Sequence, residues 1–203
     1  MKNGKFVYKT ENALQRMHDF YDKTLANLQV PFSEDYFETS YGKTHSLVVG
    51  NPEKPKICTI DMAVLLVPSG IAHGPVLPMI SKMVVPFVKY YSHKNEETLN
   101  QVIETMGGKG DAVWREFFDI MMSSYKMEMR PPKEYSKKEL QNFKAPVVII
   151  ASDSDIFFPA ERVFKKAAKI FQGEIKQMKI ESKHLPSDEV MKDVCKEIVK
   201  FLA

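Results

Sequence analysis

Residues 147–202 read as strand, helix, strand, helix, and that alternation constrains the fold more than any other feature of the chain. Val147–Ala151 is a short, wholly apolar run of β-branched type, 160–171 has a helical period, 174–180 returns to strand, and 187–202 is helical again. Ser187 stands where a cap for the last helix is needed, with Asp188, Glu189 and Val190 in capping-box-like order behind it. Strands that alternate with helices pair in parallel, so the fold class is α/β. A second continuous apolar run, 63–67 (AVLLV), ends in Pro68-Ser69-Gly70 and suits a strand covered on both faces of such a sheet.

The rest of the chain is less regular. Residues 11–28 place Leu14, Met17, Phe20, Tyr21, Leu25 and Leu28 on one helical face, and Pro31 closes the segment. Strand-like runs at 36–40 and 46–49 read as a hairpin turning at Gly42-Lys43, Asn51-Pro52 marks a turn, and 56–60 is a further short strand. Between 71 and 144 the pattern is helical (76–91, Glu96–Met106, 111–129), with Pro131-Pro132 ending the last helix. This divides the chain into 1–70, a helical insertion at 71–144 over one edge of the sheet, and 145–203.

Composition excludes several classes. The 203 residues are 44% hydrophobic and 27% charged, which suits a folded chain rather than a disordered one. A net charge of +3, from 29 basic and 26 acidic residues interspersed along the chain, is too mild to argue for nucleic acid. Cys58 and Cys195 are far apart and fit no metal or redox spacing, so free thiols in a reducing, cytoplasmic compartment are expected. The start leads into polar sequence rather than a signal core. The most apolar stretch, 76–88, is interrupted by Pro78, Ser81, Lys82 and Pro86 and is too short to span a bilayer, so no membrane partner is expected. Metal-ligand spacings do not occur, and no cofactor is implied.

Chemistry concentrates in two loops. The strand at Val147–Ala151 runs into Ser152-Asp153-Ser154-Asp155-Ile156-Phe157-Phe158-Pro159, and the strand at 174–180 into Glu181-Ser182-Lys183-His184-Leu185-Pro186. In a parallel sheet both leave the carboxyl ends of adjacent strands, the edge where ligands bind. An Asp and a His there form an orienting pair: the carboxylate fixes the tautomer and leaves the second ring nitrogen as a base. His45 and His73 read as loop residues, and His18 and His93 as helix-surface ones.

The segments FETSYGKTHSLVVGNPEKPKI, AVLLVPSGIAHGP, the run from KMEMRPP to AAKIF, and ESKHLPSDEV resemble the α/β-hydrolase family, in particular its bacterial serine esterase-like members. The resemblance implies a mostly parallel sheet flanked by helices. It identifies Asp155 with the triad acid after the seventh strand, in a D-x-F-x-P-like context, and His184 with the triad histidine after the eighth. It makes 71–144 the lid, inserted after the sixth strand, with methionines lining an acyl-binding pocket. Seven of the twelve methionines fall between Met79 and Met129. The implied partner is a small-molecule ester or acyl substrate.

One departure matters for function. The family carries an oxyanion-hole loop, a fourth strand and a G-x-S-x-G elbow after the fifth, and the chain has no such elbow, nor its Cys or Asp form. Ser69 follows the wrong strand and lacks flanking glycines, and Cys58 reads as a core cysteine. The central fourth and fifth strands are therefore absent from these residues. Either a stretch of roughly 80–100 residues, two βα units and the elbow, separates the two blocks in the full polypeptide, or the chain is a shortened, non-catalytic relative that binds an apolar ligand. The sequence favours the first, because Asp155, His184 and the lid keep family form.

Overall fold

The computed structural model describes residues 8–27, 31–39, 42–49, 62–107, 112–126 and 131–202. The turn at Asn51-Pro52, the strand expected at 56–60 and Cys58 lie outside them. The chain forms two compact units, Met1–Thr59 with Ser123–Lys126, and Ile60–Met122 with Met127–Ala203.

The first unit holds a helix and a hairpin. Helix α1 (Glu11–Ala26) begins where the Thr10 hydroxyl accepts from the Ala13 N–H at 3.1 Å. Its apolar face is only half-buried: Ala13 is buried, Leu14, Met17, Phe20 and Leu25 are partly covered, and Tyr21 is exposed. Strands β1 (Phe32–Thr39) and β2 (Gly42–Val49) pair antiparallel from Phe32↔Val49 to Thr39↔Gly42. Gly42 and Lys43 therefore sit in the ladder and not in a turn. His45 correspondingly lies in β2 rather than a loop, its Nδ1 3.2 Å from the Tyr21 hydroxyl. Tyr8 pairs with Tyr125 as an isolated bridge, hydroxyl to hydroxyl at 3.0 Å. Burial first, and the Tyr8 hydrogen bond second, push the Tyr125 phenol up to about 12.

The second unit carries the sheet. Among the described residues it has three parallel strands in the order β3 (Ala63–Leu66), β4 (Val147–Ala151), β5 (Ile175–Lys179). Strand β4 is central and buried at every position, which its five apolar residues permit. Val147, Ile149 and Ala151 face α6 (Ala160–Ile170) with Val163, Ala167 and Ile170. Val148 and Ile150 face the other way, onto α7 (Asp188–Leu202) with Val190, Met191, Val194 and Ile198. The period-2 alternation of β4 meets the 3.6-residue stripes of two helices, giving helix, sheet and helix layers. Among the described residues strand β5 is an edge, with Lys176, Gln177 and Lys179 exposed. Strand β3 is half-buried, and Leu66 is exposed, rather than covered on both faces as its composition led us to expect. Among the described residues it has a strand neighbour on one side only. Val67 leaves β3 with φ 46°, a left-handed conformation that a β-branched residue adopts only under constraint.

A helical block packs beside the sheet in the same unit. Helix α2 (Val76–Met79) continues through a π-helical turn (Ile80–Val84) into α3 (Val85–Ser92). Pro86 has no N–H to give its helical acceptor four residues back, and here the Val85 N–H reaches Ile80, five residues back. Helix α4 (Glu96–Met106) starts at a capping box between Asn95 and Thr98. Helix α5 (Ala112–Ser124) stops where Tyr125 enters its bridge, short of the expected residue 129. Phe87, Tyr90, Leu99, Val102, Ile103, Phe118 and Met122 form the core of this block.

Candidate active site

The loop after β4 is built around Ser152, which is 1% exposed. Its carbonyl accepts from the Asp155 N–H at 3.3 Å and the Ala160 N–H at 3.0 Å, closing the turn onto the start of α6. Its hydroxyl donates to the Ser182 carbonyl and accepts from the Ser154 and Ser182 N–H groups at 3.1 and 3.3 Å. One buried hydroxyl thus joins the aspartate loop to the histidine loop. Sequence reasoning passed over this residue, although a serine directly after a buried strand is a turn-former by its chemistry.

The two aspartates of the loop part company. Asp153 points out to Lys179 at 2.5 Å, and that hydrogen bond holds its carboxyl below the usual range. Asp155 turns inward and is 1% exposed. Its Oδ1 accepts from the Phe157 N–H at 2.8 Å, and its Oδ2 lies 3.1 Å from His184 Nδ1. A buried carboxylate accepts, so Nδ1 carries the proton and Nε2 keeps its lone pair. Nε2 has no hydrogen-bond partner among the described residues. The imidazole packs against the Phe157 and Phe158 rings, with centroids 4.8 and 5.5 Å away.

The histidine loop is held from its far side as well. The Leu185 N–H donates to the Met106 carbonyl at 2.7 Å, and Lys183 Nζ donates to the Glu104 carbonyl. Gly107, at φ 119°, allows this approach: a Cβ there would stand 2.6 Å from the Leu185 carbonyl oxygen. A cavity of about 900 Å³ opens beside Asp155, lined by Asp155, Ile156, Pro159 and Lys183 and by Pro75 and Pro86. Among the described residues no methionine lines it. Met83, Met106, Met121 and Met122 pack in or against the helical core instead, because a helical period does not distinguish a core stripe from a cavity wall.

His73 has a structural partner that the sequence did not reveal. Its N–H donates to Glu134 Oε1 at 2.8 Å, its Nδ1 is 3.2 Å from the same oxygen, and Lys166 Nζ reaches Glu134 Oε2 at 3.0 Å. The His73 N–H foremost, and Lys166 after it, hold the Glu134 carboxyl below its ordinary value of 4.5, against an opposing effect of burial. A carboxylate depressed on folding stabilises fully above its unfolded-state value, and that stability is lost as pH falls through the folded one. Thermal melts below pH 4.5 should show the wild type losing stability with acid more steeply than Glu134→Gln, which is the less stable of the two at neutral pH.

Among the described residues no group of three or more His, Cys, Asp or Glu side chains is arranged to hold a metal ion. Cys195 is an exposed free thiol on α7, and His18 and His93 are exposed. Ser69 lies in the turn after β3. No helix among the described residues is long and apolar enough to cross a membrane.

No protein-family model matches the sequence, and no curated protein matches it. Solved structures do. A Bacillus subtilis protein described as a hydrolase superposes with a TM-score of 0.65 at 12% identity, over 96% of this chain and 100% of the other. Carboxylesterase CesB from Bacillus subtilis gives 0.61 at 14% identity, over 96% and 99%. Naproxen esterase (carboxylesterase NP) from the same organism gives 0.61 at 12% identity, over 96% and 100%. The fold is that of the α/β-hydrolases. The mostly parallel sheet flanked by helices agrees with the architecture expected from the resemblance, and the sheet is small, with three strands among the described residues.

Proposed function

We propose that these residues are the acid- and base-bearing part of an esterase-type hydrolase that works through a covalent acyl-enzyme on small or medium acyl esters. The observation that carries this reading is the His184–Asp155 pair at 3.1 Å, with a buried carboxylate at the wall of a cavity and an Nε2 that has no hydrogen-bond partner among the described residues. His184 is the base: Nε2 takes the proton of the attacking hydroxyl or thiol as the acyl bond forms, then gives it to the departing alkoxide. In the second half it takes a proton from water and returns it to the nucleophile. Asp155 orients the ring and stabilises the imidazolium. The nucleophile and oxyanion hole come from residues other than these 203, and 71–144 is the lid. The esterase names of the structural neighbours support the same reaction class.

The test joins intact-mass spectrometry of the protein isolated from its source with hydrolysis of p-nitrophenyl acetate and butyrate. A mass well above 23.3 kDa with hydrolysis that His184→Ala abolishes supports the reading. A mass of 23.3 kDa with no hydrolysis overturns it in favour of a non-catalytic relative that binds an apolar ligand. Hydrolysis that survives His184→Ala overturns the assignment of the base.

A further inference from the structure

His184 lies between two fixed points of its loop, and one of them also fixes Asp155. Among the described residues the last backbone rung between β4 and β5 is the Ile180 N–H donating to the Ala151 carbonyl at 3.0 Å. The Ser152 carbonyl is already taken by the Asp155 and Ala160 N–H groups as the chain turns, so that residue's backbone acceptor is not free for the next rung. Its hydroxyl supplies the rung instead. It donates to the Ser182 carbonyl and accepts from the Ser182 N–H at 3.3 Å, which engages both backbone groups of that residue. Further on, the Leu185 N–H donates to the Met106 carbonyl at 2.7 Å. Lys183 and His184 alone stand between these two anchors.

The aspartate is held by the same residue. The Asp155 N–H donates to the Ser152 carbonyl at 3.3 Å, and the Ser154 N–H donates to the Ser152 hydroxyl at 3.1 Å. The hydroxyl thereby uses its one donor and both of its acceptor sites, in a residue only 1% exposed. We infer that Ser152 is a positioning residue of the site: through its hydroxyl it sets the separation of Asp155 Oδ2 and His184 Nδ1, and with it the ring tautomer that leaves Nε2 unprotonated. The tautomer follows from the separation, because the proton of a neutral imidazole stays on the nitrogen that has an acceptor within reach, here 3.1 Å away. The Leu185 anchor is no substitute, since it ties the histidine loop to α4 rather than to the aspartate loop. This role deepens the proposed hydrolase reading and rests on it for its kinetic consequence, whereas the geometry of the pair stands without turnover.

Nitrogen-15 NMR of the histidine side chains in the full chain, at a pH where they are neutral, reads the tautomer with no substrate present. The expected wild-type His184 signal is a single Nδ1–H form. Ser152→Ala removes the hydroxyl and little else, and should lose that proton signal to a mixture with the Nε2–H form. Ala167→Gly, buried at the far end of α6, destabilises the chain without touching either loop and should keep the wild-type spectrum. On p-nitrophenyl butyrate, Ser152→Ala should lower kcat about tenfold to a hundredfold with KM little changed, the cost of a slight misplacement of the base. Ser152→Cys keeps the shape with a weaker donor, so it serves where the alanine variant does not fold and should show a smaller loss in the same direction. A wild-type spectrum from Ser152→Ala, or from Ser152→Cys in its place, overturns the inference. Equal loss of the tautomer in Ala167→Gly also overturns it, since the signal then reports stability alone. An inactive wild type that keeps the spectral contrast supports the positioning role and overturns only the hydrolase reading.

Discussion

On the proposed hydrolase function, Asp155→Asn should fold almost normally and lose about four orders of magnitude of ester hydrolysis, the loss that a wrong histidine tautomer causes in triad hydrolases. The fold survives because the amide oxygen can still accept from the Phe157 N–H, as Oδ1 does at 2.8 Å. The amide nitrogen then faces His184 Nδ1, where an acceptor stood at 3.1 Å. A donor in that place forces Nδ1 to accept, so the ring proton moves to Nε2. His184, the proposed base, thereby loses the lone pair at Nε2, although no heavy atom has moved. Asp155→Ala is the informative contrast. It orphans the buried Phe157 N–H and the ring nitrogen together, at about 1–3 kcal/mol for each unsatisfied group, so it loses stability as well as activity. Steady-state kinetics on p-nitrophenyl esters, beside urea unfolding of the three proteins, separates the two effects. An asparagine variant with wild-type kcat would remove Asp155 from the mechanism.

The sequence made the sheet legible wherever local chemistry agreed with tertiary demand. Strand β4 runs from Val147 to Ala151 as expected, because Pro146 precedes five apolar residues and Ser152 must turn. Helix α4 begins and ends as expected, because Asn95 caps one end and Gly107 takes a left-handed φ at the other. The Asp155–His184 meeting follows from topology: adjacent parallel strands deliver their loops to one edge. Gly42 misled because a glycine's freedom signals a turn equally well whether the turn or a strand uses it. Contacts set by long loops left no trace at all. Tyr8 meets Tyr125 across 117 residues and His73 meets Glu134 across 61, and no periodicity or motif encodes such a pairing. The half-buried state of β3 was hidden for a related reason, since apolar composition reports what a strand suits and not how many neighbours it has.

Gly74→Ala should be among the most damaging single-methyl changes the chain can carry. The Gly74 N–H donates to the Phe157 carbonyl at 2.6 Å, which draws the segment after β3 against the aspartate loop. A Cβ at Gly74 would stand 2.1 Å from the Ile156 carbonyl oxygen, 3.0 Å from its carbon and 3.2 Å from the Phe157 oxygen. All three are backbone atoms, and the loop that holds them is fixed at Ser152 and at the start of α6, so it cannot give by a rotamer change. Relief requires the two segments to part, which breaks the 2.6 Å bond and displaces the Phe157 N–H that orients Asp155. A loss of about 3 kcal/mol is expected from overpacking with a broken hydrogen bond. For a chain of this length that lowers Tm by about 6–12 °C. Gly70→Ala provides the control, because its Cβ would meet the Tyr135 ring at 2.8 and 2.9 Å. That ring belongs to a side chain 47% exposed, free to swing away, so the loss should stay under about 1 kcal/mol. Equal losses in calorimetry at the two glycines would mean that the aspartate loop yields as readily as a surface tyrosine, and the rigid seat assigned to Asp155 would have to be abandoned.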